Sequence, residues 1–368
     1  MKTLLYKLFS AIFNISRILP VKKGRIALLA PHPRERFDSL GRIAEIARGR
    51  GGYEIIEISV PRSSHSVKER LSFFLTAPVK LARSEYIFLN DNFMPLADLN
   101  ISKNTEVIQL WHGEGAFKKF GILSEKDGEI KKRVAACSKK TDLFIVSSEN
   151  VRQIYAEAFG ADVSKIKALG SPRCDRLICG ADKEAQRESF DRNHPGCAGK
   201  KLILYAPTFR DDPEKDAALL KNTDFDWLTN QLGDEYALLI KLHPSVHSSR
   251  APKGITDVTG EDINTLTVIC DILITDYSSV CMNFAFLSKP CVFYAFDLDE
   301  YETERSFCFG YEDYVPGPVI KDYREIPGAI KNSPNTEKNG KFREFNFKYI
   351  DGNSGERVFD EAVKASSL

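Results

Sequence analysis

The segment from Asp271 to Leu287 most constrains the fold, because an apolar run ends there and gives way first to polar residues and then to a helical pattern. Residues 271–279 have the sequence Asp-Ile-Leu-Ile-Thr-Asp-Tyr-Ser-Ser. This order predicts a buried parallel strand, a tight turn, and a helix whose first turn carries Ser278 and Ser279. A helix N-terminus suits a phosphate because its N–H groups are free and its dipole end is positive. For this turn alone, an ordinary serine N-cap is the alternative.

Three further apolar runs end in polar or cationic groups in the same way. The residues that end or follow these runs, together with those of the first run, are His112, Gly113, Thr208, Arg210, Lys241, His243, Asp276, Ser278 and Ser279. Ligands of open α/β sheets bind at the carboxyl ends of the strands. Hydroxyls, cations and imidazoles gathered at that edge, with few carboxylates, indicate a site for a polyphosphate.

Strand-like runs alternate with helix-like segments along the 368 residues, which predicts an α/β fold with parallel sheets. This length suffices for two domains. We assign residues 1–24 to an N-terminal amphipathic segment, 25–180 and 181–345 to two Rossmann-like domains, and 346–368 to a C-terminal helix that crosses back to the first domain. The polar residues at 180–200 predict the linker between the domains. Two such domains facing a cleft would place both sets of strand ends on one ligand.

The composition argues against several other classes of protein. The formal net charge is +1, which creates no strong overall field, and no nucleic-acid motif occurs, so we expect no nucleic-acid partner. None of the eight cysteines forms a Cys-x-x-Cys pair, and several lie in apolar runs, which is typical of buried thiols. His243 and His247 are four residues apart, but Pro244 between them argues against a zinc-binding helix. We therefore expect no metal site.

The first nineteen residues are apolar with periodic polar breaks, and Lys2, Lys7 and Arg17 give them positive charge. The segment is too interrupted to span a bilayer, because spanning needs about 20 mostly apolar residues. Two interpretations remain open. The segment is either an amphipathic helix in the plane of an anionic membrane surface, or a helix packed on its own domain.

Several motifs occur in the order found in one known family. They are Trp-His-Gly at 111–113, Gly-Ser-Pro-Arg-Cys-Asp at 170–175, Tyr-Ala-Pro-Thr-Phe-Arg at 205–210, His-Pro at 243–244, Thr-Asp-Tyr-Ser-Ser at 275–279, and Asp-Gly-Asn-Ser-Gly-Glu-Arg at 351–357. With them the chain resembles the CDP-glycerol glycerophosphotransferase family of teichoic acid primases and polymerases.

The resemblance implies a GT-B fold whose active site lies between its two domains. It implies transfer of glycerol phosphate from CDP-glycerol to a hydroxyl of a lipid-linked saccharide or glycerophosphate acceptor. CMP is released, and the product is teichoic acid or a related cell-surface glycopolymer. The implied location is the cytoplasmic face of the bacterial membrane, with peripheral attachment. Alternatives are a ribitol-phosphate transferase or capsule polymerase of the same family, a GT-B glycosyltransferase that uses a nucleotide sugar, and an inactive nucleotide-binding scaffold.

The chain departs from the family pattern after the Trp-His-Gly motif. Residues 114–118 are Glu-Gly-Ala-Phe-Lys, one residue longer than the usual Thr-Pro-Leu-Lys. Asn283 stands where aspartate is common, and Ser306 stands where glycine is usual. These departures bear on the donor and acceptor more than on the reaction type.

Under this resemblance, His112 is the general base, since a pKa near 6.5 suits proton removal at neutral pH. His243 donates to a phosphate oxygen as CMP leaves. Arg210 and Lys241 are cationic clamps on the phosphates. For each residue, a purely structural role is the alternative.

The remaining site residues bind substrate under the same resemblance. Ser278 and Ser279 hold the phosphates, while Gly113, Thr208 and Asp276 contact the substrate or fix the loops. Arg305 meets a phosphate, or instead pairs with Asp297 or Glu302. We expect no required cofactor. Mg²⁺ held with the substrate phosphates by Asp211 and Asp212 is the alternative.

Overall fold

The computed structural model describes most of the chain. The described residues are 2–33, 38–61, 65–180, 182–210, 212, 220–242, 252, 254–304, 306–332 and 337–365. The chain forms two compact units. Unit 1 comprises Met1–Arg176 and Asn346–Leu368, and unit 2 comprises Leu177–Phe345.

Each unit contains one six-stranded sheet. The strands of unit 1 are β1 (Lys22–Ala30), β2 (Glu54–Ser59), β3 (Ser84–Leu89), β4 (Glu106–Gln109), β5 (Leu143–Val146) and β6 (Ile166–Ala168). Those of unit 2 are β7 (Lys201–Ala206), β8 (Tyr236–Ile240), β9 (Thr256–Asp257), β10 (Ile272–Thr275), β11 (Cys291–Tyr294) and β12 (Val319–Ile320).

All strand pairs in both sheets are parallel. The order is β2-β1-β3-β4-β5-β6 in unit 1 and β12-β11-β10-β7-β8-β9 in unit 2. In each sheet the chain builds outward from its first strand and then returns to that strand's other side. The strand order therefore reverses between β1 and β3 in unit 1, and between β7 and β10 in unit 2. A crevice for ligands forms at such a reversal, outside the carboxyl ends of the strands.

Helices connect the strands. In chain order they are α1 (Lys2–Ser16), α2 (Ser39–Arg50), α3 (Val67–Ala82), α4 (Gly128–Lys139), α5 (Arg152–Phe159), α6 (Pro172–Cys179), α7 (Lys183–Asn193), α8 (Phe225–Leu232), α9 (Ile263–Ile269), α10 (Val280–Phe286), α11 (Leu298–Glu304), α12 (Tyr311–Tyr314), α13 (Ile326–Asn332), α14 (Glu337–Asn346) and α15 (Ser354–Ala365). Short 3-10 turns occur at Met94–Asp98, Gly121–Leu123, Glu149–Val151, Val163–Lys165, Pro195–Cys197 and Tyr323–Glu325.

Polar side chains set where several helices begin, and a glycine sets where one of them ends. Asp38 caps α2 by accepting from the Gly41 amide, and Ser66 and Glu69 form a capping box at α3. These bonds satisfy amides that have no partner within the helix. Gly160 ends α5 in the left-handed conformation that glycine adopts without strain.

The sheet of unit 1 has a helical layer on each face. Ile43 of α2 and Phe359 of α15 pack in one core with the side chains of β1, β3 and β4 that point to that face. Phe9 of α1 and Leu81 of α3 pack in the other. The C-terminal helix α15 is therefore part of unit 1.

Helix α1 has one buried face and one exposed face. Phe9 is fully buried and Phe13 is 2% exposed, whereas Leu4 and Ile15 are 72% and 67% exposed. The helix thus packs on its own unit, as one of the two interpretations held, and keeps an unburied apolar stripe, as the other requires. In the described part of the chain, no helix combines the length and hydropathy that crossing a bilayer requires.

The prediction of a linker at 180–200 is wrong. Helix α7 occupies most of this stretch, and Phe190 and Cys197 are 5% and 1% exposed. The helix contacts α9 within unit 2. The stretch looks like a linker in the sequence because most of its side chains are polar, but these two residues anchor it to the domain core.

We expect Phe13→Ala to lower the free energy of unfolding by about 3–5 kcal/mol, because it leaves a cavity in the core beneath α1. Ile15→Ala, on the exposed side of the same helix, is the matched control and should change it by less than about 0.5 kcal/mol. Urea titrations of both variants measure the difference. Equal effects would show that α1 is not packed as described.

Candidate functional site

Three strand ends at the reversal of the unit 1 sheet bring chemically active side chains together. His32 follows β1, Asn90 and Asp91 follow β3, and His112 follows β4. Nδ1 of His32 and Nδ1 of His112 each lie 3.8 Å from Oδ2 of Asp91. His112 is therefore one of a group of three titratable side chains at the carboxyl edge of the sheet.

Two buried amides hold these loops in place. The side chain of Asn90 accepts from the His32 amide and donates to the His32 carbonyl, both at 3.2 Å. The side chain of Gln109 donates to the carbonyl of Asp91 and accepts from the amide of Trp111, both at 3.0 Å. Asn90 and Gln109 are 3% and 4% exposed. Buried amides that both donate and accept in this way make the loop geometry rigid.

The imidazole of His112 is held through Nδ1 and by two neighbouring rings. Its Nδ1 lies 3.2 Å from the carbonyl oxygen of Asn90, so Nδ1 carries the hydrogen and Nε2 is left as the basic nitrogen. One face stacks on His32, with centroids 4.2 Å apart and planes 6° apart. The ring of Trp111 also lies 4.2 Å from that of His112 between centroids, tilted by 34°. Trp111 has φ 59°, a left-handed conformation that costs a bulky residue energy and is typical of functional sites.

The surroundings of His112 favour its neutral form. Burial lowers the pKa of His112 below its ordinary 6.5, although the Asn90 carbonyl and Glu114 raise it; Arg173 adds to the lowering. About a third of the side chain is exposed. Burial raises the pKa of Asp91. At neutral pH, His112 therefore presents an unprotonated Nε2, which is the state a general base needs.

Glu114 lies in the loop that is one residue longer than the family pattern, and its side chain is 5% exposed. One carboxylate oxygen accepts from Ser171 at 2.8 Å and from Nε of Arg173 at 3.0 Å, and the other pairs with the same guanidinium. Burial raises the pKa of Glu114, but these partners lower it more. The carbonyl of Gly113 accepts from the hydroxyl of Tyr155 at 3.1 Å. The loop that follows His112 is thus anchored at successive residues.

His32, Asp91 and His112 are also the one group of described residues whose donor atoms lie close enough together for a metal, within 4.8 Å of one another. Imidazole lone pairs lie in the ring plane, however, and the two ring planes are nearly parallel. The lone pairs therefore do not converge on one point. The arrangement is a stack of rings beside a carboxylate, and we do not assign it to a metal.

In unit 2, the reversal between β7 and β10 gathers Thr208, Asp276, Ser278 and Ser279. The Thr208 amide donates to Asp276 at 2.7 Å, which joins the two strand-end loops. The hydroxyl of Thr208 is buried and has no partner among the described residues. Ser278 is half-buried and Ser279 exposed, and Ser279 precedes α10 without a side-chain cap bond. The serines are the accessible hydroxyl groups at this edge.

Arg210 does not have the role that the sequence predicts for it. Its side chain is 3% exposed and pairs with Asp276 at 2.9 Å and with Asp297 at 3.0 Å. Its guanidinium also lies 5.0 Å from the rings of Tyr277 and Tyr301. Burial lowers the pKa of Arg210, but the two carboxylates raise it more. We therefore correct the predicted phosphate clamp: Arg210 and Asp276 form a buried ion pair that frames the loops.

Lys241 also has local partners. Its Nζ donates to the carbonyls of Thr259 and Glu261 at 2.9 and 2.7 Å. Burial lowers its pKa. The ammonium group thus ties the end of β8 to the loop before α9. His243, Arg305 and Asp211 lie outside the described residues, so their roles stay predictions.

The sequence interpretation did not identify His32, Asn90, Asp91 or Gln109. The signal for three of them was present, because Pro-His-Pro at 31–33 and Asn-Asp-Asn at 90–92 also follow apolar runs. The criterion that selected His112 selects them as well. Gln109 lies inside an apolar strand, and its pattern gives no such signal.

Two Rossmann-like units, each with polar side chains at the reversal of its parallel sheet, are the architecture of the GT-B-like fold. A sequence profile described as CDP-Glycerol:Poly(glycerophosphate) glycerophosphotransferase matches residues 11–364. The chain belongs to this family.

Similar proteins agree with this assignment. The teichoic acid poly(ribitol-phosphate) polymerase of Bacillus spizizenii is 34% identical over 372 residues, which are 97% of this chain and 59% of that protein. The teichoic acid glycerol-phosphate primase of Bacillus subtilis is 32% identical over 307 residues, covering 81% of this chain and 78% of that protein. The solved structure of the wall teichoic acid polymerase TagF has a TM-score of 0.79 and 25% identity, covering 99% of this chain and 94% of that one. The chain thus spans about three fifths of the length of the first relative.

We expect Arg210→Met to lower the free energy of unfolding by about 3–5 kcal/mol, because two carboxylates would lose the cation buried with them. Arg48→Met is the control: its pair with Glu57 is exposed, so its loss should cost under about 1 kcal/mol. Urea unfolding measures both. A phosphate clamp without a framing role would leave the Arg210 variant as stable as the control.

Proposed function

We propose that this protein transfers a polyol phosphate from a CDP-activated donor to a hydroxyl of a lipid-linked acceptor and releases CMP, in the synthesis of teichoic acid or a related polymer. The observation that carries the proposal is the imidazole of His112, whose Nδ1 is held by a carbonyl and whose Nε2 is left basic. The chain that carries it belongs to a family of glycerophosphotransferases. The acceptor oxygen bonds to the phosphorus that carries the polyol. The bond from that phosphorus to the CMP oxygen breaks, and the hydroxyl proton passes to Nε2.

In unit 2, Thr208, Ser278 and Ser279 are the groups we propose for the diphosphate. Ser279 is exposed, and the Thr208 hydroxyl has no partner among the described residues. Hydroxyls can donate to phosphate oxygens without adding negative charge. Arg210 would support the diphosphate only indirectly, through the loop that it fixes. We propose that no metal held by a dedicated protein site takes part.

The family description and the names of the relatives indicate two candidate donors. The family description names CDP-glycerol, whereas the Bacillus spizizenii relative is a poly(ribitol-phosphate) polymerase by name. The Bacillus subtilis relative is a glycerol-phosphate primase. CDP-glycerol is our first candidate and CDP-ribitol the second.

We expect CMP release when the protein is given CDP-glycerol or CDP-ribitol with a lipid-linked disaccharide. His112→Gln should reduce turnover by about 10²–10⁴-fold and leave donor binding unchanged. Because the pKa of His112 is lowered, kcat/KM should fall with decreasing pH only below pH 6.5. His194→Gln, at a half-buried histidine beside Glu261, is the control and should keep full activity.

Product mass separates the remaining possibilities. One added unit indicates a primase, and a ladder indicates a polymerase. UDP release from UDP-sugars, without CMP release from either donor, would replace the proposal with a glycosyltransferase. Full activity of His112→Gln would remove His112 as the base.

We further propose that unit 1 attaches to the cytoplasmic surface of an anionic membrane through α1 and α3. The two helices pack together through Phe9 and Phe73, whose ring centroids lie 5.7 Å apart. Apolar side chains remain exposed on both at helical spacing. These residues, which we call the outer stripe, are Leu4, Leu8, Ile15, Val67, Leu71 and Leu75. Exposed Lys7 and Lys68 lie within the same helices and would attract anionic lipid.

We expect Leu8→Glu together with Leu71→Glu to weaken binding to anionic vesicles by at least about tenfold, because two apolar contacts with lipid are lost. Ile130→Glu changes a residue of similar exposure on α4 and is the control. Vesicle co-sedimentation measures binding. Point substitutions replace deletion of the helix, since Phe9 and Phe13 belong to the core. Equal binding of both proteins would refute the attachment.

A further inference from the structure

The ring of His112 packs against more neighbouring rings than a general base requires. It packs against the rings of His32 and Trp111, each at 4.2 Å between centroids. Trp111 itself packs on Phe120 and Phe159, at 5.0–5.2 Å. A ring packed against two neighbouring rings cannot turn about its side-chain bond without displacing one of them. Since Nδ1 is held by the Asn90 carbonyl, Nε2 is the ring nitrogen left to meet a substrate.

Titratable and charged groups surround the ring of His112 from three neighbouring segments. Asp91 reaches it from the loop after β3, His32 from the loop after β1, and Arg173 of α6 is neutralised by Glu114. Asp91 is the nearest negative group, 3.8 Å from Nδ1 of His112. The distance exceeds a hydrogen bond, yet a carboxylate within about 4–6 Å still stabilises a cationic imidazole.

The same carboxylate lies at the same distance from both histidines. One negative charge balances one imidazolium, and two stacked imidazolium rings would repel each other. Protonation of one ring therefore disfavours protonation of the other. When His112 takes the acceptor proton, His32 has to serve as the neutral partner of the stack.

We propose that His32 and Asp91 are positioning residues for His112: His32 holds the imidazole plane, and Asp91 supplies the negative charge that stabilises the imidazolium formed in the reaction. The proposal rests on the proposed function, in which Nε2 of His112 accepts the proton. It assigns no bond-making step to either residue. It predicts that the ring of His32 matters and that its nitrogens do not.

Asp91→Asn tests the charge. In NMR titrations of the whole protein without substrate, we expect the pKa of His112 to fall by about 0.5–1 unit, because the imidazolium loses its counter-charge. The fall of kcat/KM on the acid side should move to lower pH with it, and kcat should drop about tenfold. Asp142→Asn is the control, since this carboxylate, just before β5, accepts from the Val107 amide and interacts with Lys165. An unchanged titration of His112 in Asp91→Asn overturns the role of Asp91.

His32→Ala and His32→Phe test the ring. The alanine uncovers one face of His112, and we expect kcat to fall about tenfold with KM for the donor unchanged. Phenylalanine restores a flat ring without nitrogens and should recover kcat to within about threefold of the original protein. Failure of phenylalanine to rescue, or full activity of the alanine variant, overturns the role of His32.

The proposed function and the roles of His32 and Asp91 can be refuted separately. If the protein releases no CMP from either donor, the proposed function fails, while the titration of His112 still shows whether Asp91 acts on it. If CMP is released but Asp91→Asn and His32→Ala behave like the original protein, the proposed function stands and this inference fails.

Discussion

The structure depends on which groups form hydrogen bonds with the backbone amides just beyond the ends of the parallel strands. There the chain leaves the sheet and its amides lose their ladder partners, yet the loops are partly buried and need hydrogen bonds. Buried side chains provide them. Asn90 bonds the backbone of His32, Gln109 bonds Trp111, and Asp276 accepts from the amides of Thr208 and Tyr277.

In this arrangement, the side chains that fix the loops differ from those that are left for a substrate. In unit 1, amide side chains fix the loops, and Nε2 of His112 is left as the basic nitrogen. In unit 2, the ion pair of Arg210 and Asp276 does the holding, and hydroxyls remain at the surface. Because two carboxylates already balance the charge of Arg210, we propose that other groups bind the diphosphate. The serines are the candidates among the described residues.

The sequence predicted the architecture because parallel strands buried on both faces are continuous apolar runs, and these runs end sharply. Strands β6, β9 and β12 have only two or three residues, which are too few to show an apolar pattern in the sequence. It missed α7 because two buried residues in a polar stretch carry little signal. The site was predicted unevenly. His112 and the serines are recognisable by their position after a strand, whereas the fate of Arg210 depends on Asp297, which lies 87 residues further along the chain. Sequence spacing carries no record of such a pairing.

Hydrogen exchange at four backbone amides tests the claim that side chains hold the strand-end loops. The amides are those of His32, Trp111, Thr208 and Tyr277, each bonded to a side-chain oxygen. If the side chains hold these loops, the four amides exchange slowly, with protection close to that of the adjoining strands. Exchange at the rate of an unstructured peptide would show that the side chains do not hold the loops.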